Sequence, residues 1–521
     1  MKRIIYALFF VLPLMANSQN MYNVAGLLEN DPVGTARFVG MGGSMGALGG
    51  NISVMGTNPA GTAVYRSSDF YISGAMDIVN NKSAFNGTKN KEGYVGAGLS
   101  NLGLVVACDI EASPVKFVNL GLDYHRKSNL KNNFFMNGDP NGFSQQYAIN
   151  DLYWRLWDNN YQPFDINNIN SDMYSGFNHN WLALLAADVA LCDKDGNFLI
   201  HPPTNPELAG YPVVFPDQVD YYSEQRGGVD VVDFNISTNI EDRVYLGATV
   251  GYHIVDYSRY SSYTESDFVE MTSYSLENYY NVKGSGVDFK LGAIFRPFKY
   301  SPFKVALSVH TPVLYRLRDY SSATMIGPYG AEFTTEGSSC YGELLATAYS
   351  LKTPWRFGTA MSYTFGKCFA VNAEYEYADA SSLAFSKRTD IGVCQNDEIS
   401  YNLKSQHTFR VGAELTVKKI ALRAGYNYIS APFRSTAFKY MPNATTADTS
   451  TEYQNKYAKN IATVGLGYAG KIVYIDVAYM YQHQKSDFYS YYDMDYPDSE
   501  SRVAKVKTNG HSIIAGIGIR F

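Results

Sequence analysis

The chain has 521 residues, is 46% hydrophobic and 15% aromatic, and carries 43 Lys and Arg against 49 Asp and Glu, a formal net charge of -6. This mildly acidic balance argues against nucleic acid as a partner. The five cysteines (Cys108, Cys192, Cys340, Cys368, Cys394) are dispersed and none lies in a CxxC pair, which excludes a disulfide framework and a thiolate metal site.

At the amino terminus, Lys2 and Arg3 precede an apolar run from Ile4 to Met15, and Ala16-Asn17-Ser18 places small residues where signal peptidase reads them. This predicts a secretory signal peptide over residues 1–18, cleaved before Gln19, its apolar run too short to span a bilayer. No Cys follows the site, which argues against a lipoprotein anchor. Losing Lys2 and Arg3 leaves a net charge of about -8. No later apolar stretch reaches the roughly 18 residues of a transmembrane helix. The 44 Tyr and the alternately placed apolar residues instead fit strands that face lipid, with aromatic girdles at the interfaces.

Residues 19–68 are rich in Gly and Ala, with GMGGSMGALGG over Gly40 to Gly50 and TNPAGTAVY over Thr57 to Tyr65. The Gly run fails as a phosphate loop: no Lys-Ser/Thr pair follows, the G-x-G-x-x-G spacing breaks at Met45, and no βαβ unit surrounds it. A water channel also uses an Asn-Pro-Ala turn, but with helical spans and a second copy, neither of which is present. A compact plug inside a lumen accounts for the segment better, because Gly and Ala let the backbone fold tightly in a confined space. Asn58, Pro59 and Ala60 are its candidate gating residues. Asn caps turns through its side chain, Pro fixes φ, and Ala fits against a wall.

Period-2 alternation then predicts strands at Phe70–Ile78, Leu102–Asp109, Val115–Tyr124, Val229–Thr238, Val244–Tyr257, Gly286–Phe295, Lys304–His310, Trp355–Phe365, Phe369–Tyr377, Thr408–Thr416, Lys419–Tyr428, Ile461–Tyr468, Ile472–Tyr481 and His511–Phe521. That is an all-β chain of about fourteen antiparallel strands, an even number as in closed outer-membrane barrels, over residues 69–521. Tight turns near 366, 418 and 470 alternate with long segments at 378–407, 429–460 and 482–510, as short periplasmic turns alternate with long extracellular loops. The interruption at 126–227 is too long for a structureless loop. Trp181, Leu182, Leu185, Ala186 and Val189 recur there at helical spacing, which predicts an extracellular subdomain containing a helix. Cys340 and Cys394 fall in predicted extracellular segments, where a bond between them is open to oxidation.

If Phe369, Val371, Ala373, Tyr375 and Tyr377 face lipid, then Glu374 and Glu376 face inward, and the same parity turns Arg356, Arg410, Glu414 and Arg423 inward. Opposite charges there would interlock across strands or hold a plug. Their spacing marks no catalytic dyad, no G-x-S-x-G elbow appears, and an enzyme is not expected. The final segment, HSIIAGIGIRF, alternates Ile513, Ala515, Ile517, Ile519 and Phe521 with small or polar residues, and its terminal aromatic suits the barrel assembly machinery.

The GMGG stretch, Asn58-Pro59-Ala60 before the first strand, and about fourteen strands ending in Phe resemble the FadL/TodX family of outer-membrane transporters for long-chain fatty acids and other hydrophobic compounds. The segments FRPF (Phe295 to Phe298), HTP (His310 to Pro312) and KTPWR (Lys352 to Arg356) look like the versions found in Bacteroidota. The resemblance implies a fourteen-stranded barrel plugged by an amino-terminal hatch that holds the Asn-Pro-Ala triplet, with a lateral opening in the wall. The long 126–227 insertion departs from that pattern. The expected function is passive uptake of hydrophobic small molecules, without metal or cofactor, by a monomer in contact with outer-membrane lipid and lipopolysaccharide. Two alternatives remain: a scaffold or shuttle barrel holding a secreted protein, and a haem receptor, for which eight His and 44 Tyr single out no ligand. A 22-stranded plugged receptor would need a longer chain.

Overall fold

The structure is a computed structural model. It describes residues 21–521 apart from 113, 147, 150–179, 190–215, 270, 328–331, 335–345, 367, 387–389, 440–447 and 492–502. The strands are β1 (Asp69–Phe85), β2 (Thr88–Ala112), β3 (Val115–Asn129), β4 (Asn132–Gly138), β5 (Gln218–Ile240), β6 (Val244–Asp267), β7 (Thr272–Phe295), β8 (Lys304–His310), β9 (Leu314–Ile326) and β10 (Glu332–Thr334). They continue as β11 (Ala346–Lys352), β12 (Arg356–Phe365), β13 (Phe369–Asp379), β14 (Ala384–Phe385), β15 (Ser405–Val417), β16 (Ile420–Ile429), β17 (Tyr453–Ala469), β18 (Val473–Tyr489) and β19 (Val503–Arg520). The helices are α1 (Met21–Ala25), α2 (Ala36–Gly40), α3 (Trp181–Asp188) and α4 (Asp390–Asn402).

Antiparallel pairing of neighbours runs from β1 to β19, and β19 pairs back onto β1, so the sheet closes. Several segments share one crossing of the wall: β3 with β4, β8 with β9, β10 and β11 with β12, and β13 with β14. The result is a 14-stranded barrel. Every predicted strand falls on one of these crossings, overrunning the observed strand by one residue at Trp355, Lys419, Ile472 and Phe521. No helix among the described residues is long and apolar enough to cross a membrane, which says nothing of a barrel.

The strands are longer than their apolar alternation indicates. On β6, the outward positions Leu246, Val250, Tyr252 and Ile254 are exposed and apolar, and the outward positions above them are Asp256, Ser258, Tyr260, Ser262 and Thr264. Over the same upper stretch the inward face gains buried apolar and aromatic residues, Val255, Tyr257 and Tyr263, beside the buried polar Ser261 and Glu265. The lower barrel is therefore apolar outside, the surface a barrel shows to lipid, and the upper barrel is apolar inside, as a water-surrounded barrel must be. The upper core takes in α3, whose Trp181, Leu182, Leu184 and Leu185 pack with Tyr263, Tyr274, Met325 and Phe488. Asn180 caps α3 through its side chain, accepting from the Leu182 and Ala183 amides. Strand takes up residues 126–129, 132–138 and 218–227 of the predicted insertion, and in the last two Phe134, Met136, Val219 and Tyr221 are buried on the inward face. Cys340 lies outside the described residues; Cys108 and Cys368 are free and exposed.

Two neighbouring crossings break at Thr-Pro. Pro312 and Pro354 have no amide hydrogen for the ladder. The adjacent threonine hydroxyls patch the gap: the Phe289 amide donates to Thr311 Oγ1 at 2.9 Å and the Val313 amide to Thr353 Oγ1 at 2.8 Å.

Candidate functional site

The amino-terminal segment, residues 21–65, lies inside the barrel. Its backbone is held by turns that need left-handed residues: Gly42, Gly43, Gly49 and Gly50 sit at φ between 65° and 70°. The segment also sits against wall glycines. A Cβ on Gly292 would come within 1.9 Å of Asn58 Oδ1, and one on Gly425 within 2.3 Å of the Gly42 nitrogen, so these positions admit no side chain without displacing the segment.

The Asn58-Pro59-Ala60 triplet is buried where this seat is tightest. Asn58 Oδ1 accepts from the Ala60 amide at 3.2 Å, and its Nδ2 donates to the Gly46 carbonyl at 2.7 Å. This ties the turn to the glycine run. Asn235 on β5 donates to the Pro59 carbonyl at 3.2 Å, and Asn119 on β3 donates to the Thr62 carbonyl at 2.7 Å.

The six inward charges meet as two clusters. Arg410 reaches Glu374 at 3.2 Å and Glu376 at 3.1 Å, and Arg356 lies 3.5 Å from Glu376. Glu374 also accepts from the Gly46 amide at 3.1 Å, and Glu376 from Asn30 at 2.8 Å. In the second cluster, Arg423 bonds Glu414 and Asp476, each at 2.6 Å. Glu414 takes a two-pronged contact from Arg37 of the segment, at 2.9 and 2.8 Å, the strong geometry for an Arg–carboxylate pair. The charges thus interlock across strands and grip the segment as well. Sequence parity found the wall members. It missed Arg37, which sits on α2, and Asp476, which alternates on β18 as the others do on their strands. Above them Lys459 pairs with Asp31 at 2.9 Å and Lys456 with Glu29 at 2.7 Å.

The wall has one further feature that sequence reasoning did not find. The β2–β3 ladder stops at the Asn101–His125 pair; above it β2 pairs only with β1, and β3 only with β5. Two local causes coincide. Ser100 is an extra residue, a bulge that skips the β1 register between Ser73 and Gly74. Asn101 Nδ2 takes the Tyr124 carbonyl at 3.2 Å in place of a backbone donor, while Arg126 grips Asp230 on β5 at 2.9 Å. Higher up the gap closes again through side chains: Asn81 bonds the Asn133 carbonyl, Ser83 the Phe135 carbonyl and Asn90 the Asn137 side chain. What remains is a window in the apolar belt, edged by exposed Val95 and Leu99.

A cavity of about 110 Å³ runs from this window, past Gly96, Gly98 and Lys127, to Pro32, Val33 and Val39 of the inner segment. A larger cavity of about 250 Å³ lies above the segment, lined in part by Tyr22, Leu28, Tyr257, Phe433 and Phe488. Val79, Gln482 and Asp31 line both, so the two adjoin. Their walls mix aliphatic and aromatic carbon with amides and charges, a surface for an apolar body with polar orientation.

The fold is shared with solved structures. The chain is similar to a Pseudomonas aeruginosa FadL homologue, with a TM-score of 0.52 at 11% identity, covering 94% of this chain and 99% of that one. It is likewise similar to the toluene transporter TodX of P. putida, with a TM-score of 0.53 at 11% identity and the same coverage. No family model and no curated protein matches the chain. The barrel has the FadL/TodX-type fold that the sequence resembles.

Proposed function

We propose that the protein is an outer-membrane transporter that passes hydrophobic small molecules, long-chain fatty acids among them, from the upper cavity through the β2–β3 window into the membrane. The observation that carries this reading is the window itself. A closed ladder is the default for a barrel wall, and here it opens within the apolar belt and adjoins two cavities. An apolar ligand leaving there goes from the mixed polar and apolar cavity directly to hydrocarbon, without entering bulk water. Binding needs no energy source: a ligand with higher affinity for one arrangement of the inner segment shifts its population. In this reading residues 19–68 form the hatch, Asn58, Pro59 and Ala60 set its seat, and the Arg356–Glu376 and Arg423–Glu414 clusters hold it.

The test is to fill the window. A Cβ at Gly98 meets no atom within 4 Å, so a large side chain fits there without strain on the wall. Gly98→Trp is expected to cut uptake of a labelled long-chain fatty acid or toluene by roughly tenfold or more while the barrel folds normally. Unchanged uptake by the folded variant would overturn the lateral route.

A further inference from the structure

The outer surface carries a row of lysines that the transport reading does not use. In the strand register Lys82 of β1 stands directly opposite Lys91 of β2 on one side and Lys507 of β19 on the other, and Lys507 stands opposite Lys485 of β18. Four like charges therefore lie side by side across four strands, about 14 Å from end to end at the usual strand spacing. All four are exposed and face outward. One row higher, Lys89 and Lys505 flank Ala84. The one acid in these two rows, Asp487, is already bonded by Lys505 at 3.1 Å and by the Tyr457 hydroxyl at 2.5 Å. Among the described residues, Lys82, Lys89, Lys91, Lys485 and Lys507 form no ion pair.

Like charges directly opposite on a sheet destabilise it, so the row costs stability unless something neutralises it. Lysine on an open strand edge discourages unwanted pairing, and that explains Lys89 and Lys91 beside the window. It does not explain Lys82, Lys507 and Lys485, whose strands are paired on both sides.

The surface below the row is graded. Next down are Asn80, Asn509 and His483, the last two joined at 2.9 Å. Below these come His511 and Tyr481, and then the belt of Met76, Ile513 and Tyr479. From belt to row the wall thus offers carbon, aromatic rings, amides and ammonium groups in order. An acyl chain, a sugar and a phosphate joined in that order match it step for step.

We propose that this face of β18, β19, β1 and β2 is a docking site for a phosphorylated glycolipid of the outer leaflet. The lysines take the phosphate, Asn80 and Asn509 the sugar hydroxyls, and the belt the acyl chains. The site rests on the outer-membrane placement proposed above but not on transport. Its position next to the window puts a bound glycolipid at the edge of the lateral opening.

The test uses the purified full-length barrel in detergent, titrated with lipopolysaccharide, with the same lipopolysaccharide dephosphorylated, and with phosphatidylglycerol. The variant combines Lys82→Gln, Lys91→Gln, Lys485→Gln and Lys507→Gln, and a second set changes the same residues to Arg. Binding of lipopolysaccharide is expected to weaken at least about tenfold in the Gln set and on dephosphorylation, and to persist in the Arg set. An unheated gel band that still runs ahead of the boiled one, normal fatty-acid uptake and normal membrane fractionation in the Gln set would separate a lost lipid site from a lost fold or a lost transporter. Equal lipopolysaccharide binding by native and Gln proteins, equal binding of the dephosphorylated form, or equally tight phosphatidylglycerol binding would each overturn the proposal.

Discussion

Asn58 shows how much one side chain can carry in this barrel. Its Oδ1 closes the turn at Ala60, and the same atom lies where a Cβ on Gly292 would have to go. A methyl group at Gly292 must therefore push against Asn58, with the Ala60 nitrogen 2.9 Å behind it. Gly292→Ala is expected to destabilise the inner segment by about 1–3 kcal/mol. Residues in contact are not additive, so Gly292→Ala combined with Asn58→Ala should cost less than the two single changes together. Limited proteolysis of the amino-terminal segment in otherwise folded barrels measures this, and strictly additive rates would show that the two positions do not touch. Asn58→Ala with Pro59→Ala should leave the barrel folded and change uptake, since strand pairing, not this turn, holds the wall. Arg37→Ala belongs to the same scale. It removes both prongs of the Glu414 contact and should raise protease access to the segment, again without unfolding the strands, at a cost of about 1–3 kcal/mol.

Among the elements, the broken crossings explain two motifs that the sequence offered only as family likeness. Each Thr-Pro interrupts a strand, and each threonine hydroxyl accepts from a backbone amide that the interrupted ladder leaves without a carbonyl partner. Thr353→Val keeps the side-chain shape and leaves the Val313 amide without its partner; a loss of about 1–3 kcal/mol is expected, read as a lower urea midpoint. Thr353→Ser should restore it. The lower strands were legible because an apolar outer face over a more polar inner one gives strict alternation, as at Phe70, Ile72 and Met76 or Ile513, Ile517 and Ile519. The strand residues 88–101 of β2 were not, since Gly93, Gly96 and Gly98 carry no hydrophobic signal and Ser100 breaks the period. Likewise β9 carried no apolar alternation to read, because Arg316 and Arg318 stand on its outward face and the charged Asp319 is buried on its inward one. On β13 the alternation that turns Ala373 outward sets Glu374 and Glu376 on the face that meets Arg410. Neither the window nor its bulge leaves a periodic trace.

For the whole molecule, closure of β1 on β19 leaves no free edge over the lower wall except at the window. Such a barrel should run faster on a gel unheated than boiled, and recovery in a soluble periplasmic fraction would contradict the membrane reading. The upper frame of the window differs in kind from the rest of the wall. Backbone ladders elsewhere fix spacing for any sequence that keeps the register. Over the window, β4 is tied to β1 and β2 by the side chains of Asn81, Ser83 and Asn90. The height of the aperture is therefore written in three replaceable residues. If ligands leave by the proposed lateral route, exchanging one for a longer or shorter side chain would change the largest molecule admitted while every strand keeps its partner, so the aperture would be a sieve retuned one substitution at a time.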